Sequence, residues 1–211
     1  MIYQSTHPLI KTLVNRLRDI SIDALRFRHL VKEITRFLIY EAFEDMPLKS
    51  HKIDTWQGKR AFDFPDEEAF VFVTILRAGM PMLEGANELF TGVGSGFLAM
   101  KRDEETKKSR LYYDRVPPCE GKIVVLMDVM VATGGSLSDA ITLLKTKKPA
   151  KIVSLNIIAA PEGLEMLRQK HPDVKIHIAQ IDERLNADKF ILPGLGDAGD
   201  RSYNTLKEEE A

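Results

Sequence analysis

One stretch of this sequence concentrates the residue types that bind and transform a phosphorylated ligand. Five apolar residues, Ile123 to Met127, run up to a single carboxylate, Asp128, and the small-residue turn Ala132-Thr133-Gly134-Gly135-Ser136 follows shortly after. An unbroken apolar run suits a strand covered on both faces of a parallel sheet. The C-terminal end of such a strand is where a ligand crevice opens. Beyond the turn, Leu137 to Lys145 carries apolar residues at helical spacing. Strand, carboxylate, hydroxyl-and-glycine turn, helix: that order can place backbone N–H groups and a helix N-terminus around a phosphate. A sharp strand-to-helix turn with Asp128 as a simple turn former is the plainer alternative. No Gly-Lys-Ser/Thr follows the glycines, which argues against a nucleoside triphosphatase loop.

Two arginines, Arg77 and Arg102, stand with Asp128 at the ends of expected strands. Singly, a surface arginine is usually solvated or weakly paired. Jointly, the three define a crevice with two guanidinium groups, one carboxylate and a phosphate loop. Guanidinium forks suit bidentate pairing to a polyphosphate, so the crevice suits a small sugar phosphate.

Near the C-terminus, Gly194-Leu195-Gly196-Asp197-Ala198-Gly199 matches the dinucleotide-binding glycine pattern. That pattern needs a preceding strand, a following helix and an acid about 20 residues on. Pro193 precedes the run and too little sequence follows, so the dinucleotide reading fails on length. What remains is a glycine-rich loop with Asp197 and Asp200, either a surface turn or a backbone surface for a flat ligand.

The elements that must position these groups follow an α/β order. Residues 8–45 read as two amphipathic helices, about Pro8 to Asp19 and Asp23 to Asp45, whose apolar stripe serves as core or subunit interface. Residues 46–69 are expected as a loop with short strands. Strands follow at Phe70–Leu76, Gly96–Met100, Ile123–Met127, Ile152–Ala159 and Val174–Ala179, with helices from Met80 to Phe90 and from Pro161 to Lys170. This alternation implies a mostly parallel sheet with helices on both faces. The polar stretch from Lys107 to Gly121 reads as a hairpin or hood over the site.

Composition sets bounds on the rest. The 211 residues have 44% hydrophobic content and a net charge of −1, giving no electrostatic reason to expect nucleic acid. The single cysteine, Cys119, excludes an internal disulfide framework and suits a reducing compartment. Scattered histidines argue against zinc. No run reaches the ~18–20 apolar residues of a membrane span, and the N-terminus does not read as a secretion signal. A cytoplasmic protein is expected.

Two motifs resemble those of the uracil phosphoribosyltransferases. Val124 to Ser136 resembles their phosphoribosyl-diphosphate (PRPP) motif, and Phe190 to Arg201 resembles their uracil-binding loop, the more specific of the two. Further matches, in chain order, are His7-Pro8-Leu9, Tyr40-Glu41-Ala42, Ile75 to Gly79, Arg102 to Thr106, Ala160 to Gly163 and Ile181-Asp182-Glu183, so the resemblance covers nearly the whole chain.

The resemblance implies a single type I phosphoribosyltransferase domain over residues 1–211. Its parts would be N-terminal helices (1–45), an α/β core (69–180) with a hood at 103–117, and a uracil-binding segment (181–205). The implied reaction is uracil plus PRPP giving UMP plus diphosphate, with magnesium (Mg²⁺) carried by PRPP. The implied PRPP contacts are Arg77, Arg102 and Asp128, then Val129, Met130, Val131, Ala132, Thr133, Gly134, Gly135 and Ser136, with Asp197 beside PRPP and its metal. Of these, Asp128, Arg77 and Arg102 are the catalytic group. Ile191, Gly196, Asp197 and Ala198 would bind uracil, largely through backbone, and valine at 198 would crowd the base. A homodimer or homotetramer is expected, with GTP as an effector to be tested. The chain departs from the family at Val129, where proline is usual, and at Lys101, where tyrosine is common. Two other readings stand beside this one: a pyrimidine-nucleotide-sensing RNA-binding regulator, and a phosphoribosyltransferase for another base.

Overall fold

The structure is a computed structural model and describes residues 1–102 and 109–205, with side chains described outside 101–110. Its centre is a seven-stranded sheet. In chain order the strands are β1 (Ile2–Gln4), β4 (Phe70–Leu76), β5 (Gly94–Arg102), β6 (Ser109–Arg115), β7 (Ile123–Val131), β8 (Lys151–Ala159) and β9 (Lys175–Ile181). They lie in the spatial order β1-β9-β8-β7-β4-β5-β6. Every pair is parallel except β5–β6. This is the α/β architecture expected of the sequence: a mostly parallel sheet flanked by helices.

The apolar runs are explained by burial on both faces. Along β7, Val125, Met127 and Val129 enter one core with Phe27, Leu30 and Ile34 of α2 (Ala24–Ala42). Val124, Leu126 and Val131 enter a second with Leu137, Ile141 and Leu144 of α4 (Gly135–Thr146). Helices α1 (Pro8–Arg18) and α3 (Met80–Asn87) join the first layer, and α5 (Pro161–Lys170) joins the second. The two N-terminal helices form where their stripes predict. Ile10, Leu13, Val14 and Leu17 are buried at spacings of three and four, and Asp23 caps α2 by accepting from the Arg26 N–H at 2.7 Å.

Several elements differ from expectation. Strand β1 pairs with β9, although three residues carry no usable periodicity. Residues 46–69 hold a regular hairpin, β2 (Leu48–Thr55) and β3 (Gly58–Pro65), rather than short strands in a loop. All but the last residue of each strand is exposed, so the sequence shows no buried face for a period-two pattern to reveal. In the hood, residues 109–115 form the antiparallel edge strand β6, and 103–108 lie outside the described residues.

Strand β7 also outruns its expected end at Asp128. Its pairing with β4 stops at Thr74↔Met127, while pairing with β8 continues to Val131↔Ala159. From Asp128 onward one edge of β7 is therefore released from β4, opening a crevice where the strand order reverses. Buried Asn156 donates to the Asp128 carbonyl at 2.8 Å and accepts from the Ser154 hydroxyl at 2.7 Å. No described helix is long and apolar enough to cross a membrane.

Candidate active site

The crevice between the C-terminal ends of β4 and β7 is a cleft of about 760 Å³. Arg77, Asp128, Met130, Ser136 and Asp197, from four separate segments, all line it. It also takes in Gly199 of the C-terminal glycine motif and, outside the motifs, Tyr112 on β6. The signal for Tyr112 was weak: an aromatic in a polar stretch, placed at the site only by the β5–β6 pairing.

Asp128 sits partly buried on the cleft floor. Burial pushes its carboxyl up to about 7, opposed by hydrogen bonds from the Val129 and Met130 N–H groups. Near neutral pH this group exchanges between a proton donor and a carboxylate acceptor, a suitable partner for vicinal hydroxyls.

The turn at 132–136 is held against α5. Gly134 takes the cap position of α4 at φ +78, in the left-handed region, and has no side chain to cap the helix. The first-turn N–H groups are thus left to an outside acceptor, which suits a phosphate. A Cβ at Gly163 would lie 2.2 Å from the Ala132 carbonyl oxygen, and one at Gly134 2.8 Å from the Gly163 oxygen. Glycine at 163 is what allows the turn to rest on the first turn of α5. Val129 and Val131 are fully buried, one in each core, so only their backbone faces ligand chemistry.

Arg77 follows β4, its guanidinium half exposed and paired with Asp200 at 2.7 Å. Arg102 ends β5, where its backbone pairs with Ser109; its side chain lies outside the described residues.

The C-terminal segment is a two-stranded ribbon, β10 (Arg184–Leu185) and β11 (Ile191–Leu192), then a glycine loop and α6 (Ala198–Tyr203). Gly194 and Gly196 both adopt positive φ, at +64 and +76. Asp197 accepts the Asp200 N–H at 2.8 Å, capping α6 while lining the cleft. Ile191 and Ala198 are buried in the first core, so only their backbone is offered to a ligand. Valine at 198 would meet packed core, and the substitution does not isolate base recognition.

The family model for uracil phosphoribosyltransferase matches residues 4–205. The chain belongs to the uracil phosphoribosyltransferase family. Uracil phosphoribosyltransferase of Aquifex aeolicus is 45% identical over 96% of this chain and 98% of its own length. Those of Malacoplasma penetrans and Acinetobacter baylyi are 41% and 40% identical, covering 97% and 99% of this chain and 100% and 99% of their own. The solved structure of the AQ2163 protein from Aquifex aeolicus aligns with a TM-score of 0.92 at 45% identity, over 96% of this chain and 98% of its own. A Bacillus anthracis hypoxanthine-guanine phosphoribosyltransferase shares the fold alone, with a TM-score of 0.52 at 14% identity over 75% of this chain and 80% of its own.

The two main motifs that carried the resemblance to uracil phosphoribosyltransferases thus meet at this cleft, whereas His7, Tyr40 and Glu41 of the further matches line a separate groove. The PRPP-like motif supplies the cleft floor and phosphate turn, Ala160 to Gly163 buttresses that turn, and the C-terminal motif closes the side with Asp197 and Gly199.

Proposed function

We propose that this protein transfers the phosphoribosyl group of PRPP to uracil, releasing diphosphate and forming UMP. The observation that carries the reading is the shared cleft. Ser136 at the end of the glycine turn, the Asp128 carboxylate, Arg77, and Asp197 and Gly199 of the C-terminal loop border one volume.

In the reaction, positive charge builds on the ribose ring as the bond to diphosphate lengthens. Asp128 accepts from the ribose hydroxyls and complements that charge, while Arg77 stabilises the charge growing on the leaving diphosphate. Arg102 is assigned the same role from its sequence position. The turn at 132–136 anchors the ribose phosphate, and the C-terminal loop holds uracil in line with the anomeric carbon. Such orientation can contribute on the order of 7–11 kcal/mol.

Among the described residues no cluster of three or more His, Cys, Asp or Glu side chains could hold a metal ion. Two separate carboxylates, Asp128 and Asp197, do line the cleft. That donor set fits magnesium, which binds through one or two carboxylates together with substrate phosphates. When bound, it would neutralise charge on the leaving diphosphate.

We also assign a homo-oligomer, in the simplest case a dimer. An isolated hairpin is marginal in water, yet β2–β3 exposes Ile53, Trp56, Phe62 and Phe64. Beside its base lies an apolar groove of about 540 Å³ lined by Ile10, Phe37, Tyr40, Met46 and Phe90. A second copy of the chain would bury both. A cytoplasmic location is part of the same proposal, supported by the single cysteine, which suits a reducing compartment. For GTP as an effector the sequence resemblance is the support, and a GTP titration against rate tests it.

The deciding assay supplies purified protein with PRPP, magnesium and one of uracil, hypoxanthine, guanine, adenine or orotate. UMP and diphosphate from uracil, with the other bases inert, is the expected result. Turnover of a purine instead would overturn the reading.

A further inference from the structure

Both backbone polar groups of Gly194 are held by one buried ion pair. Arg18, the last residue of α1, grips Asp182 just beyond β9 in a fork: Nη2 donates to Oδ1 at 2.6 Å and Nη1 to Oδ2 at 2.9 Å. The Asp182 side chain is fully shielded from solvent and that of Arg18 is 17% exposed. The same Oδ2 accepts the Gly194 N–H at 3.0 Å, and Arg18 Nη1 also donates to the Gly194 carbonyl.

A second arginine reaches the other way. Arg201 of α6 donates to the carbonyls of Leu17 and Asp19 at the end of α1, and to that of Leu195 at 2.9 Å. Its guanidinium lies 4.6 Å from the centre of the Phe27 ring. The last carbonyls of α1, which lack helical donors, are thereby satisfied by the segment that α1 itself clamps.

We propose that Arg18 and Asp182 are positioning residues for the base, which makes the first helix part of base recognition. The inference rests on the uracil reading of the glycine loop. A loop between two positive-φ glycines has little conformational preference of its own, so an external contact must select its shape. Apolar packing is non-directional, whereas a bidentate arginine–carboxylate pair fixes orientation. A buried ion pair is also a poor source of net stability compared with apolar residues of similar size. Here its geometry is spent on two atoms of one loop glycine.

The test separates positioning from folding. Single removal of Arg18 or Asp182 strands a buried charge and is expected to unfold the protein, so Arg18→Met and Asp182→Leu are combined. Arg18→Lys, which keeps the charge and loses the fork, is made alongside. Thermal melts and initial rates are then measured against uracil and PRPP separately. We expect both variants to fold, with the KM for uracil raised tenfold to about a hundredfold in the double variant, less in Arg18→Lys, and the KM for PRPP within about twofold of wild type. A folded variant of either kind with unchanged uracil KM, or with uracil and PRPP KM raised in equal proportion, overturns the proposal. Wild-type protein that turns over no uracil overturns the function reading together with it; wild-type turnover with unmoved variants overturns this inference alone.

Discussion

Arg77 and Asp200 are joined by a 2.7 Å ion pair that links the end of β4 to the C-terminal helix α6. The Thr205 hydroxyl closes a triangle, accepting from Arg77 at 3.0 Å and donating to Asp200 at 2.6 Å. A diphosphate offers Arg77 more charge than one carboxylate, so PRPP must draw the guanidinium away from Asp200. With Arg77 half exposed, the pair is worth about 1 kcal/mol or less. Asp200→Asn is therefore expected to lower the KM for PRPP by up to about fivefold with kcat little changed. Arg77→Ala should raise that KM and lower kcat together, because the contact serves both bound and departing diphosphate. Initial rates over a PRPP titration check both. A raised KM in Asp200→Asn would show that the aspartate holds Arg77 in place rather than competing for it.

Asp128→Asn should lose activity and gain stability. In the unfolded chain the carboxyl ionises near its ordinary 3.8, whereas in the folded protein it holds its proton to about 7. Between those values the folded state binds the extra proton, so this group's contribution to stability falls as pH rises through the window and stays low above it. At about 1.4 kcal/mol per pKa unit the penalty is a few kcal/mol at most. Asparagine removes it while keeping an oxygen for the Val129 and Met130 N–H groups. Melts should show a higher Tm for the variant at pH about 8 and no gain below about 4, with kcat down at least about a hundredfold. Equal Tm values at the higher pH would mean that Asp128 is solvated in the cleft.

Gly163→Ala should act on PRPP from outside the cleft. The added methyl would sit 2.2 Å from the Ala132 carbonyl oxygen, a backbone atom that cannot swing aside as a side chain does. Either the turn or the start of α5 must shift, at a cost of about 1–3 kcal/mol. The KM for PRPP is expected to rise about tenfold while that for uracil moves less. An unchanged PRPP titration would detach the turn from ribose-phosphate binding.

Tyr40→Glu should dissociate the assembly. Tyr40 is 80% exposed in the apolar groove, so the change costs an isolated subunit little. Sedimentation at matched concentrations should show wild-type oligomer and variant monomer. Equal sedimentation would move the interface elsewhere.

The sequence by itself determined the layered architecture, because each apolar run states how many of its faces are covered. Ile123 to Met127 is apolar throughout since β7 is buried on both sides, and α1 and α2 show stripes since each is buried on one. It also held the phosphate turn and the C-terminal loop as contiguous motifs, legible because their glycines and carboxylates are adjacent in the chain. Only the tertiary structure decided how these parts meet. The release of β7 from β4 at Asp128, the seating of Ala132 on Gly163 and the grip of Arg18 on Asp182 join residues far apart in sequence. No local pattern encodes such pairings, since each partner's residue type is equally at home on a solvated surface. The hairpin β2–β3 stayed illegible for a different reason: all but the last residue of each strand is exposed, so no buried face imposes a period-two pattern.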